Sequence, residues 1–587
     1  MKKILYSVGL LLVMGLNSCD DSFIEQENLF EASLDSYYKT PAQIEEAMGG
    51  VYNALYVNGA HSNEHLAANL LSDLMLGGGG PDDKSAKWVD NFEDPAEDTY
   101  RDLWKETYNG INRCNAILEA TVDADYSAFF KTQEEADDFK NQAIGEAYFM
   151  RGFHLFRAAK FFGGMPIIPT TDAPRDVPRS TMGETFGQIA SDFKMAIETL
   201  PAIKATDLDI STYGHANKWV AEAYMARAFL FYTGYMTNIE KAATTEIALP
   251  EGGTISKANV VAYLNDIIGE SGYELLSDFR NLWPYSYVNQ SASQFNPDGT
   301  NPVLPWAANP DNTDPATPLA WAGQDGPRSS IGTGNTEVMF ALRYAFGNWG
   351  WTKGQSYNNR VCLFFGIRDN SMVPFGQGWG WGTVHPLLKA QWSDDDLRKK
   401  GSILDMGDAE QGTGDYQANK GDHETGMFNK KYTTIQHGGP DDVKGMFYYL
   451  YDMDNGDPMQ LWAAQDFYYL RYADVLLMHS ELTETADGMN EVRRRAGLDD
   501  IAYSLDALKE ERKFEFAFEG LRWFDLVRWG DVEDDSKNFY SNEVDVVNSG
   551  VPATYSVNYR SETKGLVPIP ESEIRLSDDV YKQNPGW

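Results

Sequence analysis

The chain has 587 residues, a formal net charge of −38 at pH 7 and an aromatic content of 13% with 15 Trp. A surface this acidic repels phosphate backbones and anionic headgroups, which argues against nucleic acid and polybasic membrane adhesion. Strongly anionic polysaccharides are disfavoured on the same ground unless a local basic patch overrules the mean, and the abundance of rings excludes acidic disorder.

Lys2 and Lys3 give a basic start, Ile4 to Met14 an apolar run, and Leu16-Asn17-Ser18-Cys19 follows. The run is too short for a permanent membrane helix and has the layout of a secretory signal over residues 1–18. Cys immediately after Leu-x-Ser is a lipobox pattern, so Cys19 is expected to be acylated and to anchor the mature chain by more than one lipid chain. Residues 19–40 are acidic and weakly patterned, a tether. Helix is predicted from Pro41, with Thr40 as cap and Ile44, Ala47, Met48, Val51 and Leu55 on one face. A second helix is predicted over Leu103 to Ala120. It carries Cys114 as a small buried hydrophobe; nothing argues for a bridge from it to Cys362.

An internal repeat follows. Glu146-Ala-Tyr-Phe-Met-Arg-Gly-Phe153 returns 76 residues later as Glu222-Ala-Tyr-Met-Ala-Arg-Ala-Phe229, with Glu, Ala, Tyr, Arg and Phe at matching offsets. Small residues that admit a neighbouring helix, with aromatics filling the remaining space, are how stacked helix–turn–helix repeats pack. Residues 41–280 are therefore predicted to be an N-terminal helical repeat region. From residue 281 to about 440 helical periodicity fades, Pro, Gly, Asn and Ser punctuate the chain, and 8 of the 15 Trp fall between 283 and 392. So long a loop without structure of its own is implausible, and this stretch is read as an inserted aromatic lobe of short strands or helices. Residues 441–587 form the C-terminal helical region, with helices predicted at 465–485 and 505–529.

Several stretches carry a family resemblance. Phe467 to Met478 (FYYLRYADVLLM), Glu510 to Trp529 (EERKFEFAFEGLRWFDLVRW), and the ending Leu566 to Pro570 with Gln583 to Trp587 are similar to the RagB/SusD family of outer-membrane nutrient-binding lipoproteins. Trp104 to Asn115 and the Phe162 to Pro166 corner resemble its N-terminal pattern, so the matches run in order along nearly the whole mature chain. The resemblance implies a mainly α fold of irregular tetratricopeptide-like helix pairs with a loop-rich inserted ligand-binding lobe. It also implies a non-catalytic lipoprotein on the cell surface, seated on a SusC-like TonB-dependent transporter and capturing oligosaccharides or, in some members, peptides. No cofactor is implied, and the partners are a neutral glycan, the transporter and the outer membrane reached through the Cys19 lipid.

Chemistry read from the residues agrees. Glu511, Glu515 and Glu519 recur every fourth residue, with Arg522 and Asp525 beyond them, a spacing that serves glycoside hydrolysis or a ladder of ion pairs equally well. The interleaved Phe and Trp favour the ladder, with Glu519 paired to Arg522 and Asp525 to Arg528. His61 and His65 lack the Glu placement of a zinc protease, Asp452 to Asp457 lacks the spacing of a calcium loop, and no Gly-Lys-Ser/Thr follows Gly77 to Gly80. No metal site is expected. Sugar recognition needs flat apolar faces with a few polar groups to fix orientation. Two segments offer both. The first contributes Asp73, Lys84, Trp88 and Asp90, and the second Trp283, Tyr285, Tyr287 and Asn289 with Trp306 and Trp321. Trp349, Trp351, Trp379 and Trp381, with Gly neighbours, are expected to pack within the lobe.

Overall fold

The computed structural model describes residues 37–56, 63–174, 176–208, 214–277, 279–282, 336–344, 357, 359–368, 378–408, 416–432 and 466–587. Helix α1 (Pro41–Asn53) starts where the sequence predicts. The Thr40 hydroxyl accepts from the Gln43 N–H, the Gln43 amide oxygen accepts from the Thr40 N–H, and Pro41 takes the first position. The same reciprocal cap opens α5 (Gln133–Phe162) at Thr132, α6 (Met182–Thr199) at Thr181 and α8 (Lys257–Glu270) at Ser256. Between these lie α2 (Glu64–Leu70), capped by Asn63, then α3 (Lys84–Asp90), α4 (Arg101–Thr121) and α7 (Lys218–Asn238). On α4, Leu103, Thr107, Ile111, Cys114 and Leu118 all face inward. No disulfide joins Cys114 to Cys362, and both are buried.

From α4 to α8 each helix packs on the next. The repeat occupies equivalent places in this stack. On α5, Arg151 reaches Asp192 of α6 at 2.6 Å. On α7, Arg227 reaches Asp474 at 2.5 Å and the Tyr469 carbonyl at 2.6 Å. Each arginine ties its helix to a later element. At Gly152 an added Cβ would meet the Phe193 ring at 3.0 Å, the close approach its small size was read to permit.

The C-terminal helices α9 (Tyr472–Thr483), α10 (Asp487–Arg495), α11 (Leu505–Glu515) and α12 (Arg522–Trp529) extend the stack, with α9 packed on α8 and α12 on α7. Two predicted helices are corrected. Residues 467–471 form a strand rather than the start of a helix, because Phe-Tyr-Tyr-Leu-Arg is buried throughout and pairs antiparallel with Val338–Leu342. The helix predicted over 505–529 breaks in two, since Phe518 at φ 67° and Gly520 at φ 76° turn the backbone left-handed between α11 and α12.

Short antiparallel ribbons complete the described fold. In chain order β1 is Met75–Gly78, β2 Glu246–Ala248, β3 Thr254–Ser256, β4 Val338–Leu342, β5 Trp381–Val384, β6 Ile403–Asp405, β7 Met427–Asn429, β8 Phe467–Arg471, β9 Val544–Asn548 and β10 Val551–Tyr555. The pairs are β1–β5, β2–β3, β4–β8, β6–β7 and β9–β10. Ser549 and Gly550, both with positive φ, close the β9–β10 hairpin in the two-residue turn that suits strand twist. The β1–β5 and β4–β8 pairs join segments some 300 and 130 residues apart, stitching the aromatic lobe into the helical body. Among the described residues no helix is long and apolar enough to cross a membrane. Cys19 and the signal lie outside the described residues, as does the stretch Asp452 to Asp457.

Candidate ligand-binding face

The first candidate segment is built around the β1–β5 ribbon. β1 ends in Gly77 to Gly80, where Gly78 pairs with Trp381, and Gly78 and Gly79 take φ values of 69° and 83°. Neighbouring rings and side chains explain the glycines. A Cβ on Gly79 would strike the Trp381 ring, and one on Gly80 would push aside the Arg368 guanidinium. Arg368 donates to the Trp379 carbonyl at 2.8 Å, to Asp83 at 3.1 Å and to the Lys420 carbonyl at 3.0 Å. Lys87 pairs with Asp422 at 2.7 Å and donates to the Gly80 carbonyl at 3.1 Å, while the Asp422 N–H donates to the Gly79 carbonyl at 2.7 Å. The loop is thus clamped from three distant parts of the chain.

On this frame the four predicted residues separate. Lys84 is exposed, and Trp88 is half-buried with neither a ring partner nor a side-chain hydrogen bond among the described residues. Both remain available to a ligand. Asp73 and Asp90 do not, and their expected place among ligand contacts is corrected. Asp73 is buried and held by Arg522 of α12 through two bonds of 2.8 and 2.9 Å. Asp90 is fully buried, accepting from the Gly77 N–H and the Tyr555 hydroxyl, each at 2.8 Å. Its other oxygen has no hydrogen-bond partner among the described residues. Burial pushes the Asp90 carboxyl up to about 7, with its two hydrogen bonds pulling the other way. Burial likewise lowers His423, stacked on Tyr555 at 3.9 Å, to about 4. Both aspartates are supports, one behind the ribbon and one beneath the loop.

Trp381 is buried at 3% exposure and Trp379 sits edge-on to Phe364 at 5.0 Å, the packing expected of them. Trp283, Tyr285, Tyr287, Asn289, Trp306 and Trp321 lie outside the described residues, together with His61, Trp349 and Trp351. Sequence reading missed Arg368, Asp422 and Tyr555. Each works across more than 280 residues of chain, and no local pattern marks them.

The three carboxylates spaced by four, Glu511, Glu515 and Glu519, lie buried in ion pairs rather than converging on an open pocket. Glu515 is wholly buried and touches Arg398 at 3.1 Å, Arg471 at 2.7 Å and Arg495 at 2.6 Å. Glu511 pairs with Arg398 and with Arg493 at 3.0 Å. Glu519 pairs with Lys431 at 2.7 Å and Arg471 at 2.8 Å, not with Arg522 as expected, because the chain reverses at Phe518. Asp525 does meet Arg528 at 2.8 Å and also Arg512 at 2.9 Å. Surrounding guanidinium groups, overcoming the penalty of burial, hold Glu515 far below the usual carboxylate range. Glu515, held ionised and paired in this way, has no proton to give as a general acid.

Residues 337–587 match the SusD family, and residues 22–230 match a family described as "Starch-binding associating with outer membrane". The SusD-like protein P2 of Formosa agariphila is 24% identical over 618 residues, covering 100% of this chain and 99% of its own. A SusD-like protein of Bacteroides ovatus is 21% identical over 561 residues, covering 90% of this chain and 82% of its own. Among solved structures, surface glycan-binding protein A from Bacteroides thetaiotaomicron in complex with laminarihexaose superposes with a TM-score of 0.66 at 20% identity. That match covers 93% of this chain and 99% of the other. A laminarin-binding SusD-like protein gives 0.65 at 21% identity, covering 94% and 100%. At these identities the likeness to the solved structures is one of fold.

Proposed function

The chain belongs to the SusD family, and from that premise we propose that it captures neutral oligosaccharides at the cell surface and delivers them to a SusC-like TonB-dependent transporter. Trp88 carries the reading. It is a half-buried indole on α3, beside the clamped loop, with no ring contact or side-chain hydrogen bond among the described residues, the arrangement that lays an apolar face against a pyranose. Lys84, one turn before it on α3, offers a donor to sugar hydroxyls. Trp283, Tyr285, Tyr287, Asn289, Trp306 and Trp321 complete the proposed face. In this reading the lipid on Cys19 holds the body at the outer membrane. The family description and the laminarihexaose-bound relative support a glycan over a peptide. The buried ion pairing of Glu511, Glu515 and Glu519 supports a binding role over catalysis.

The test is a binding screen of the full chain in detergent against neutral polysaccharides and a peptide pool, by calorimetry and gel retardation. A polysaccharide is expected to bind, and Trp88→Ala to weaken it about five- to tenfold, the loss of one stacking contact of about 1–1.4 kcal/mol. Binding of peptides alone would move the protein to a different ligand class, and release of product from any polysaccharide would make it an enzyme.

A further inference from the structure

The β1–β5 ribbon has a second end. β1 begins two residues after Asp73, and β5 runs through His385 directly into the helix Pro386–Gln391. With four residues per strand at ~3.3 Å each, this end lies roughly 13 Å from the glycine loop. Here a cleft of about 380 Å³ opens between Leu387 and Gln391, α11, the start of α12 and the segment that follows α12. Its size falls within the range of small-ligand sites, ~300–1,000 Å³.

The charges lining the cleft are not equivalent. Lys509 is paired with Asp531 at 2.8 Å and Lys537 with Asp506 at 2.9 Å. Arg522 holds Asp73 from behind. Lys513 alone of these cations has no carboxylate within ion-pair reach among the described residues. It donates to the Gln391 amide oxygen at 3.0 Å and lies over the Phe514 and Phe539 rings at 4.8 and 5.6 Å. Burial first, and then the nearby Arg522 guanidinium, push its pKa down, with Glu510 and Asp73 acting the other way. Glu510, Asp535 and Asn542 line the same cleft, and their side chains make no hydrogen bond among the described residues. Phe539 offers no stacking face, because His385 covers one side at 5.1 Å and Lys513 approaches the ring.

We propose that this cleft is a second saccharide site, taking one acidic sugar unit whose carboxylate pairs with Lys513 and whose hydroxyls donate to Glu510 and Asp535. A neutral sugar would leave Lys513 without a counter-charge. An inorganic anion would set Glu510 and Asp535 against it with no donors between. A sugar acid meets both demands, and recognition is polar where the Trp88 face is aromatic. Only the choice of a saccharide as ligand rests on the glycan-capture reading.

The full chain in detergent is titrated with glucuronate, glucose and sodium sulfate by calorimetry and saturation-transfer NMR, in wild type, Lys513→Gln, Glu510→Gln and Trp88→Ala. Glucuronate is expected to bind about tenfold more tightly than glucose. Lys513→Gln should weaken it by about tenfold or more, Glu510→Gln by about threefold, and Trp88→Ala not at all. Glu510 is exposed, so its variant gives the answer even where Lys513→Gln unfolds the chain. Absence of saturable glucuronate binding in wild type overturns the proposal. So does binding lost in Trp88→Ala but kept in Lys513→Gln, or sulfate competing as well as glucuronate. Failure of the first reading looks different, because neutral polysaccharides then fail to bind while Lys513-dependent glucuronate binding persists.

Discussion

A carboxyl buried against one backbone N–H and one phenol, as Asp90 is, keeps its proton longer in the folded chain than in the unfolded one. Its folded value of about 7 stands above its ordinary value of 3.8. Folding therefore binds a proton between those two values, and the stability Asp90 allows is fully present below about pH 4 and falls as pH rises to about 7. Asn cannot ionise, and its Oδ1 can accept from Gly77 and Tyr555 as Asp90 does. Asp90→Asn should match wild type at pH 4 and exceed it at pH 8 by about 2–4 kcal/mol. Denaturant midpoints at the two pH values measure this; a difference that does not grow with pH would mean Asp90 is ionised in the folded chain. The consequence reaches the ligand face, since Asp90 holds the Gly77 N–H at the root of the clamped loop.

At the scale of elements, the turn between α11 and α12 does more than break a helix. It turns Glu519 back toward β7 and β8, so that Glu337, Glu515 and Glu519 surround Arg471, with Arg398, Lys431 and Arg495 outside them. All these groups are buried. Replacing Arg471 takes one cation from three buried carboxylates at once, and Arg471→Met should cost about 3–5 kcal/mol, whereas Lys537→Ala on the exposed pair with Asp506 should cost under about 1 kcal/mol. Urea titrations of both variants test the contrast, and equal small losses would show that Lys431 and Arg495 suffice. The cluster also shows what the sequence could tell. Carboxylates at every fourth residue mark an ion-pair helix, and Asp525 with Arg528 obeys that local rule. Glu519 departs from it, because a left-handed Phe518 has no signature and because Arg471 on β8 and Lys431 just after β7 are remote in the chain. The caps at Thr40 and the repeat at 146–153 and 222–229 were legible for the opposite reason: their chemistry is complete within a few residues. On the ligand face, Trp88 was found by its type and the loop by its glycines, whereas the burial of Asp73 and Asp90 depends on Arg522 and Tyr555, more than 400 residues away.

For the whole molecule, these long-range partners make the helical repeat region dependent on the C-terminal helices. All seven residues of α2 are buried. Its Asn69 amide donates to the Phe518 carbonyl and accepts from the Gly520 N–H, each at 3.2 Å. Tyr540 caps Leu71, Arg522 neutralises Asp73, and Asp474 neutralises Arg227. At the far end of α5, Phe161 accepts from the Val567 N–H at 2.9 Å and Phe162 from the Asn584 amide at 3.0 Å. Stacked repeats usually draw stability from nearest neighbours and tolerate truncation. Here truncation after residue 282 would expose the apolar residues of α2 and remove the partners of Asp73 and Arg227, a cost of several kcal/mol against a total stability of about 5–15 kcal/mol. A fragment of residues 37–282 should therefore keep its helical far-ultraviolet signal, bind a hydrophobic dye and melt without a sharp transition, the behaviour of a loosely packed state. Co-expression with residues 336–587 should restore a single cooperative melt. A sharp transition in the fragment alone would mean that the α4–α8 stack carries its own stability and that the C-terminal helices dock onto a finished body.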